Sequence, residues 1–223
     1  MTVMYECVVL IPTLGRPEHI EPLVKSLYET TDKAYPLFLM TAADEAGMKA
    51  VKASGEKWIK VGWKPKGDYA RKINTGYKRT KEPIIFMGAT DLKFHPLWYD
   101  RATALLDEGT MCVGTNDLGN PRVLAGQHST HSFVTRPYAD NFGLIDEKRS
   151  VLFEGYPHEY CDDEFVYTAK SRHVYKFCKD SVVEHLHPLW GKGEWDDNYR
   201  ATDRRVAEGY RLFRRRAKLW MQR

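Results

Sequence analysis

No run of eighteen apolar residues occurs anywhere in the 223-residue chain, so nothing in it reads as a transmembrane helix. Its four cysteines, Cys7, Cys112, Cys161 and Cys178, are widely spaced and form no CxxC pair, which argues against a disulfide framework and a zinc knuckle. Internal repeats, low-complexity stretches and clean linkers are also missing, which excludes solenoids and disordered arrays. The N-terminus MTVMYECVVLIPTLGRPE has Glu6 ahead of its apolar run and no small-residue cleavage site. It is expected to be untargeted and cytoplasmic, with no membrane partner. A large charge of one sign is absent too: the net charge is +4, and Arg200–Arg223 carries nine Lys and Arg against two carboxylates, a local +7. The first 199 residues are therefore at −3, which argues against a broad nucleic-acid surface on the body.

What is present is an alternation of short apolar runs and amphipathic segments. Cys7–Pro12 (CVVLIP) reads as a strand buried on both faces, and Thr13-Leu14-Gly15-Arg16-Pro17 breaks it. Ile20, Leu23, Val24 and Leu27 then fall on one side of a helix. Pro36–Thr41 is a strand, Glu45–Ala53 a helix closed by Gly55, and Trp58–Val61 a third strand. Asp68–Lys78 is expected to be helical with Asp68 as its N-cap, leading into the buried run Ile84–Met87, and Pro96–Glu108 and Met111–Thr115 continue the alternation. Short connections between such elements imply right-handed crossovers and a mainly parallel sheet in an α/β domain.

Beyond Asn116 the pattern loosens. The polar, Gly- and Asn-rich stretch NDLGNPRVLAGQHST is long enough to be either a binding loop or a mobile one. Ser132–Thr135 reads as a strand, Pro137–Phe142 as a short helix, Cys161–Lys170 as a helix, and Val174–Phe177 and Ser181–Leu186 as two late strands.

Three constellations bear on chemistry. Asp91 follows the buried run Ile84–Met87 through Gly88-Ala89-Thr90, at the kind of strand end where α/β proteins collect ligands. It either holds a cation against a phosphate or caps the next helix. Asp162, Asp163 and Glu164 open a helix, where carboxylates either cap free N–H groups or offer a general base. His185 and His187 are two apart on a strand and share a face, the arrangement of a metal-chelating pair or of ordinary surface histidines.

Taken in order, VVLIPTLGRPEHIEPLVKSL, a second strand ending in Asp44, GDYARKINTGYKRTKEPIIFMGATDLKF, CDDEF and VVEHLHPLWG resemble glycosyltransferases of the GT-A (Rossmann-like) fold. They are most similar to the family-two inverting enzymes and to short versions encoded by bacteriophages. The resemblance implies transfer of a sugar, with inversion, from a nucleoside diphosphate sugar to a hydroxyl acceptor. The acceptor is left open between a modified base of phage DNA, a virion protein and a surface glycan, beside the alternative of a degenerate, non-catalytic nucleic-acid-binding module. A phage-encoded enzyme would work in the host cytoplasm. By the same resemblance Pro12, Thr13, Arg16, Asp44, Arg71, Asn74 and Asp91 border the donor, with Ala70 and Gly76 completing the helix motif. Asp91, His187 and His185 hold Mn2+ or Mg2+, and Asp162, with Asp163 as its neighbour, supplies the catalytic base. Trp190 is placed against the acceptor. Gly88 and Thr90 stand where the family usually has further carboxylates, so the metal motif is reduced to Asp91.

The expected organisation is a GT-A domain over residues 1–195 and a basic helical tail over 196–223. Val206, Tyr210, Phe213, Ala217 and Trp220 recur at spacings of three and four, predicting one amphipathic helix from about Asp203 with a basic outer face.

Overall fold

A computed structural model describes residues 6–221. The chain runs β1 (Cys7–Pro12), α1 (Ile20–Tyr28), β2 (Ala34–Met40), α2 (Glu45–Ser54), β3 (Lys57–Lys60), α3 (Asp68–Arg79), β4 (Ile84–Met87), β5 (Leu92–Phe94), α4 (Trp98–Thr103) and β6 (Cys112–Asn116). It continues through α5 (Pro121–Leu124), β7 (Ser132–Thr135), α6 (Arg136–Asn141), α7 (Cys161–Ser171), β8 (Tyr175–His185), α8 (Asp197–Asp203), α9 (Val206–Arg216) and α10 (Lys218–Met221). The strands form one sheet in the order β3-β2-β1-β4-β7-β6-β8-β5. Strands β1 to β4 are parallel, β7 runs against both β4 and β6, β8 is parallel to β6, and β5 is antiparallel to β8.

The apolar runs divide between two layers by simple alternation. Val8, Leu10, Leu39, Ile85 and Met87 face a layer containing Ile73 and Tyr77 of α3, Tyr138 of α6 and Phe165 of α7. Val9, Ile11, Phe38, Met40 and Phe86 face the opposite layer, with Leu23 and Leu27 of α1, Val51 of α2 and Trp98 of α4. Successive residues of the central strands are thus claimed by one layer and then the other, which is why the runs are continuous rather than alternating. Glycine matters at two joints of α3. Gly76 lets the helix lie on the sheet, since a Cβ there would be 2.7 Å from Leu10 Cδ2. Gly67, at φ +67°, precedes the helix with the Glu154 carbonyl only 2.1 Å from where a Cβ would stand.

Several elements differ from expectation. Gly67 is the residue that caps α3, and Asp68 lies inside the first turn, bridging Arg71 and Lys72 of the same helix. The helix after Pro96 ends at Thr103, and Asp107 then folds an Asx turn by accepting the N–H groups of Gly109 and Thr110. The two late strands are one, β8, whose pairing jumps from Cys178 to Val182 between Thr115 and Asn116, so the polar residues at 179–181 bulge out of the ladder. The three-residue β5 was not foreseen.

The tail is three helices rather than one. Trp220 and Ala217 are buried and Phe213 half-buried, but Tyr210 is exposed, and the helix breaks between α9 and α10 at Ala217. Arg216 does not face outward: its guanidinium pairs with buried Glu164 at 2.7 Å and Asp146 at 2.8 Å, and lies 3.6 Å over Phe153. Among the described residues, no helix is long and apolar enough to cross a membrane.

Candidate active site

The direction of the strands decides where the side chains meet. The carboxyl ends of β1, β4 and β8 and the entry to antiparallel β7 lie at one edge of the sheet, joined there by the N-terminal turns of α3 and α7. A cavity of about 300 Å³ opens between them, and a second lobe of about 400 Å³ adjoins it. Thr130, Asp162, His185, His187 and Tyr199 line both.

Asp91 sits at the floor with 2% of its surface exposed. Its Oδ2 accepts from Arg16 Nη1 (3.0 Å), from His185 Nε2 (3.2 Å) and from the Tyr199 hydroxyl. Its Oδ1 is buried with no hydrogen-bond partner among the described residues. Burial alone would raise the Asp91 pKa, but the charge and hydrogen bond of His185 and the charge of Arg16 outweigh it and hold the carboxyl well below its ordinary range. His185 is raised in return, Asp91 overcoming its desolvation. Arg16 is fixed from the other side by Asp196, whose carboxylate accepts its Nε at 2.6 Å and also caps α8 through the Tyr199 N–H. The guanidinium rests 3.7 Å above the Tyr199 ring.

His187 follows, its ring 5.0 Å from that of His185 and 4.4 Å from that of Tyr199. Its Nδ1 accepts the Leu189 N–H at 3.1 Å, and burial followed by the charge of His185 lowers its pKa to about 4. Behind them is His131, fully buried, whose Nδ1 donates to the Met87 carbonyl at 3.0 Å. Its Nε2 is left without a partner among the described residues, and burial lowers its pKa to about 4.

Lys72, which also lines the cavity and is 1% exposed, donates to the Thr13 carbonyl (2.7 Å) and pairs with Asp68 (2.6 Å). Burial lowers its pKa, with Asp68 opposing the shift. Where the two lobes join, Asp162 Oδ2 accepts from His128 Nε2 at 3.2 Å. Burial would raise Asp162, but His128 brings it below the ordinary value. Asp163, one residue on, is raised by burial and by the charge of Asp162, and it pairs with Arg122 at 2.6 Å. His128 itself is raised, because the two carboxylates outweigh its burial.

The residues singled out in the sequence are therefore divided. Pro12, Thr13, Arg16, Asp91, Asp162, His185 and His187 line the main cavity. Asp163 and Trp190 line the second lobe. Asp44, Arg71 and Asn74 do not line either lobe, because each is already committed to the fold. Asp44 caps α2 through the Gly47 N–H (2.9 Å) and ties down the Gly15 N–H (2.7 Å). Arg71 binds the Gly62 carbonyl and Asp68. Asn74 clamps the segment at 151–154, accepting from the N–H groups of Val151 and Leu152 and donating to the Leu152 carbonyl and Glu154. Lys72, His128, His131, Asp196 and Tyr199 were missed. Lys72 and Asp68 are four apart on a helix whose start was foreseen, which was a usable signal; the histidines sat in a loop without periodicity.

No protein-family model and no curated protein matches the chain. Solved structures do. The mannosyltransferase PcManGT from Pyrobaculum calidifontis, in complex with GDP-Man and Mn2+, is 18% identical, with a TM-score of 0.64 over 86% of this chain and 59% of its own. The fold is similar to that of GT-A glycosyltransferases. Glucosyl-3-phosphoglycerate synthase from Mycobacterium tuberculosis, in complex with Mn2+, UDP and glucosyl-3-phosphoglycerate, is 16% identical, with a TM-score of 0.57 over 82% of this chain and 72% of its own. The chain thus spans less than two thirds of the mannosyltransferase's length. At these identities the likeness concerns the fold.

At the floor of the cavity the buried Asp91 Oδ1 stands without a partner among the described residues, and His185 Nε2, now bonded to Asp91 Oδ2, would have to give up that bond to join it as a nitrogen ligand, an oxygen and nitrogen donor set that suits Mn2+. His128, Asp162 and Asp163 also bring one ligand atom each within 4.8 Å of one another, but Arg122 already neutralises Asp163 there.

Proposed function

We propose that the protein transfers a sugar from a nucleoside diphosphate donor to a hydroxyl acceptor, with inversion at the anomeric carbon. The observation that carries this reading is the buried Asp91, with one oxygen unpartnered, beside Arg16 and His185, in a cavity that Asp162 also lines. In this reading Pro12 and Thr13 wall the nucleoside, while Arg16 and Lys72 offset the negative charge of the diphosphate. Asp91, with His185 and His187, would hold a divalent cation, which when bound supplies Lewis-acid neutralisation of the leaving group. Such preorganised charge is worth most where charge develops on the leaving oxygen.

Asp162 takes the proton from the acceptor hydroxyl as that oxygen bonds to the anomeric carbon. The bond from that carbon to the diphosphate oxygen breaks, and its electron pair leaves with the diphosphate. His128 keeps Asp162 ionised at neutral pH, as a base must be. Asp163 is the poorer base candidate, since its carboxylate is engaged by Arg122 and does not line the donor lobe.

The test is incubation with UDP- and GDP-sugars and a range of hydroxyl acceptors, with and without Mn2+. Released nucleoside diphosphate and a product of inverted anomeric configuration by NMR are expected. Release of sugar 1-phosphate would mark nucleotidyl transfer instead, and absence of any turnover a binding module.

A further inference from the structure

The second lobe has a chemistry of its own. Its lining combines the rings of Trp190, Trp195 and Tyr160 with the carboxylates of Glu159, Asp163 and Asp203, and Asp162 stands at its junction with the first. Trp195 is 41% exposed, and Trp190 lies on Gly119, where a Cβ would fall 2.5 Å from the indole Cγ. His187 links the two indoles, 6.1 Å from one and 6.4 Å from the other. Tryptophans left open in a concave site are informative, because an indole gains by burial against a flat apolar face.

The charges narrow the choice of ligand. Among the described residues the lobe has one guanidinium, Arg122, which Asp163 already holds at 2.6 Å, and the imidazoles of His128 and His185 are likewise paired, with Asp162 and Asp91. An ionised carboxylate can only accept hydrogen bonds, so it pairs with hydroxyl groups and repels phosphate. His128, 2% exposed, adds a buried Nδ1 without a hydrogen-bond partner among the described residues to this lining.

We propose that this lobe binds an uncharged saccharide as the acceptor, its ring against Trp190 and Trp195 and its hydroxyls donating to the carboxylates, and that it does not bind a DNA strand. The proposal rests on the transferase reading above, which supplies the role of acceptor. The tail contributes Asp203 to this lobe, and its Arg216 is consumed by Glu164 and Asp146.

Saturation-transfer NMR on the full chain tests it, using methyl glycosides of glucose, galactose, mannose and N-acetylglucosamine in the presence of UDP or GDP with Mn2+. At least one glycoside should receive saturation at its ring protons, and Trp195→Ala should weaken its binding roughly tenfold while nucleotide affinity, read by calorimetry on the same sample, stays unchanged. Trp190→Phe, which keeps a ring over Gly119, should weaken it less than Trp195→Ala. Nucleotide binding without any glycoside contact would overturn the saccharide proposal and leave the transferase reading standing. Glycoside binding indifferent to Trp195→Ala would overturn it equally, as would a duplex DNA that displaces the glycosides with the steep salt dependence of phosphate contacts. Trp195-dependent glycoside binding without nucleotide binding would sustain the saccharide lobe and sink the transferase reading.

Discussion

Two adjacent carboxylates, Asp162 and Asp163, meet different neighbours, and the difference assigns them different work. Asp162→Asn is expected to lower turnover by roughly 10² to 10⁴ with nucleotide affinity nearly unchanged, as for loss of a general base. Asp163→Asn should cost far less activity, because it loosens Arg122 rather than the proton acceptor. Steady-state kinetics and calorimetry on the two variants check this; a larger loss in Asp163→Asn would reverse the roles. In the proposed mechanism His128 is the positioning residue. Its loss leaves burial opposed only by the backbone N–H groups of Asp162 and Asp163, which raises that carboxyl, so His128→Gln should move the acid limb of the kcat/KM profile to higher pH. An unmoved limb would detach His128 from the base. At this scale the sequence was only partly legible. Asp91, Arg16, Asp162 and the His pair sat at the ends of recognisable elements and do line the cavity. Asp44, Arg71 and Asn74 sat at equally recognisable places but spend their hydrogen bonds on a helix cap, a loop carbonyl and a chain clamp. A single sequence does not reveal which partner a polar side chain will find.

Among the elements, the C-terminal helices departed most from expectation. The stripe Val206, Phe213, Ala217 and Trp220 was readable, yet the break at Ala217 and the course of α8 depend on long-range partners. Asp196 reaches Arg16 across 180 residues of chain and Tyr199 reaches Asp91 across 108. Arg216 fastens α9 to α7 through buried Glu164. Arg216→Gln should destabilise the fold by about 3–5 kcal/mol, the usual result of stranding a buried charge, and Glu164→Gln in the same chain should recover part of it. Chemical denaturation measures both; a loss below about 1 kcal/mol would show the pair to be dispensable. The acid dependence has a definite sign. The Arg216 hydrogen bond lowers Asp146 in the folded state, so its contribution is present above the unfolded value near pH 4 and fades as pH falls through the lowered folded value. The stability gap between wild type and Arg216→Gln should therefore be full at neutral pH and narrow below about pH 4.

For the molecule as a whole, the order of strands brings together what the sequence keeps apart. β1, β4 and β8 all end at one edge of the sheet, and antiparallel β7 begins there, so residues from Thr13 to Tyr199 share one cavity. The strand and helix alternation of the first half was legible because each run obeyed one period. Within it the three-residue β5 escaped, and in the second half β7 and α7 were legible while the bulge of β8 split its pattern into two apparent strands. The central claim is that Asp91 forms the floor of a nucleoside diphosphate site. Calorimetric titration of UDP and GDP, each with and without Mn2+, into wild type and Asp91→Asn tests it most directly. At least one nucleotide should bind wild type more tightly with Mn2+, and Asp91→Asn, checked as folded by circular dichroism, should lose that metal-dependent gain. Nucleotide binding that ignores both Mn2+ and the substitution, or no nucleotide binding at all, would contradict the claim.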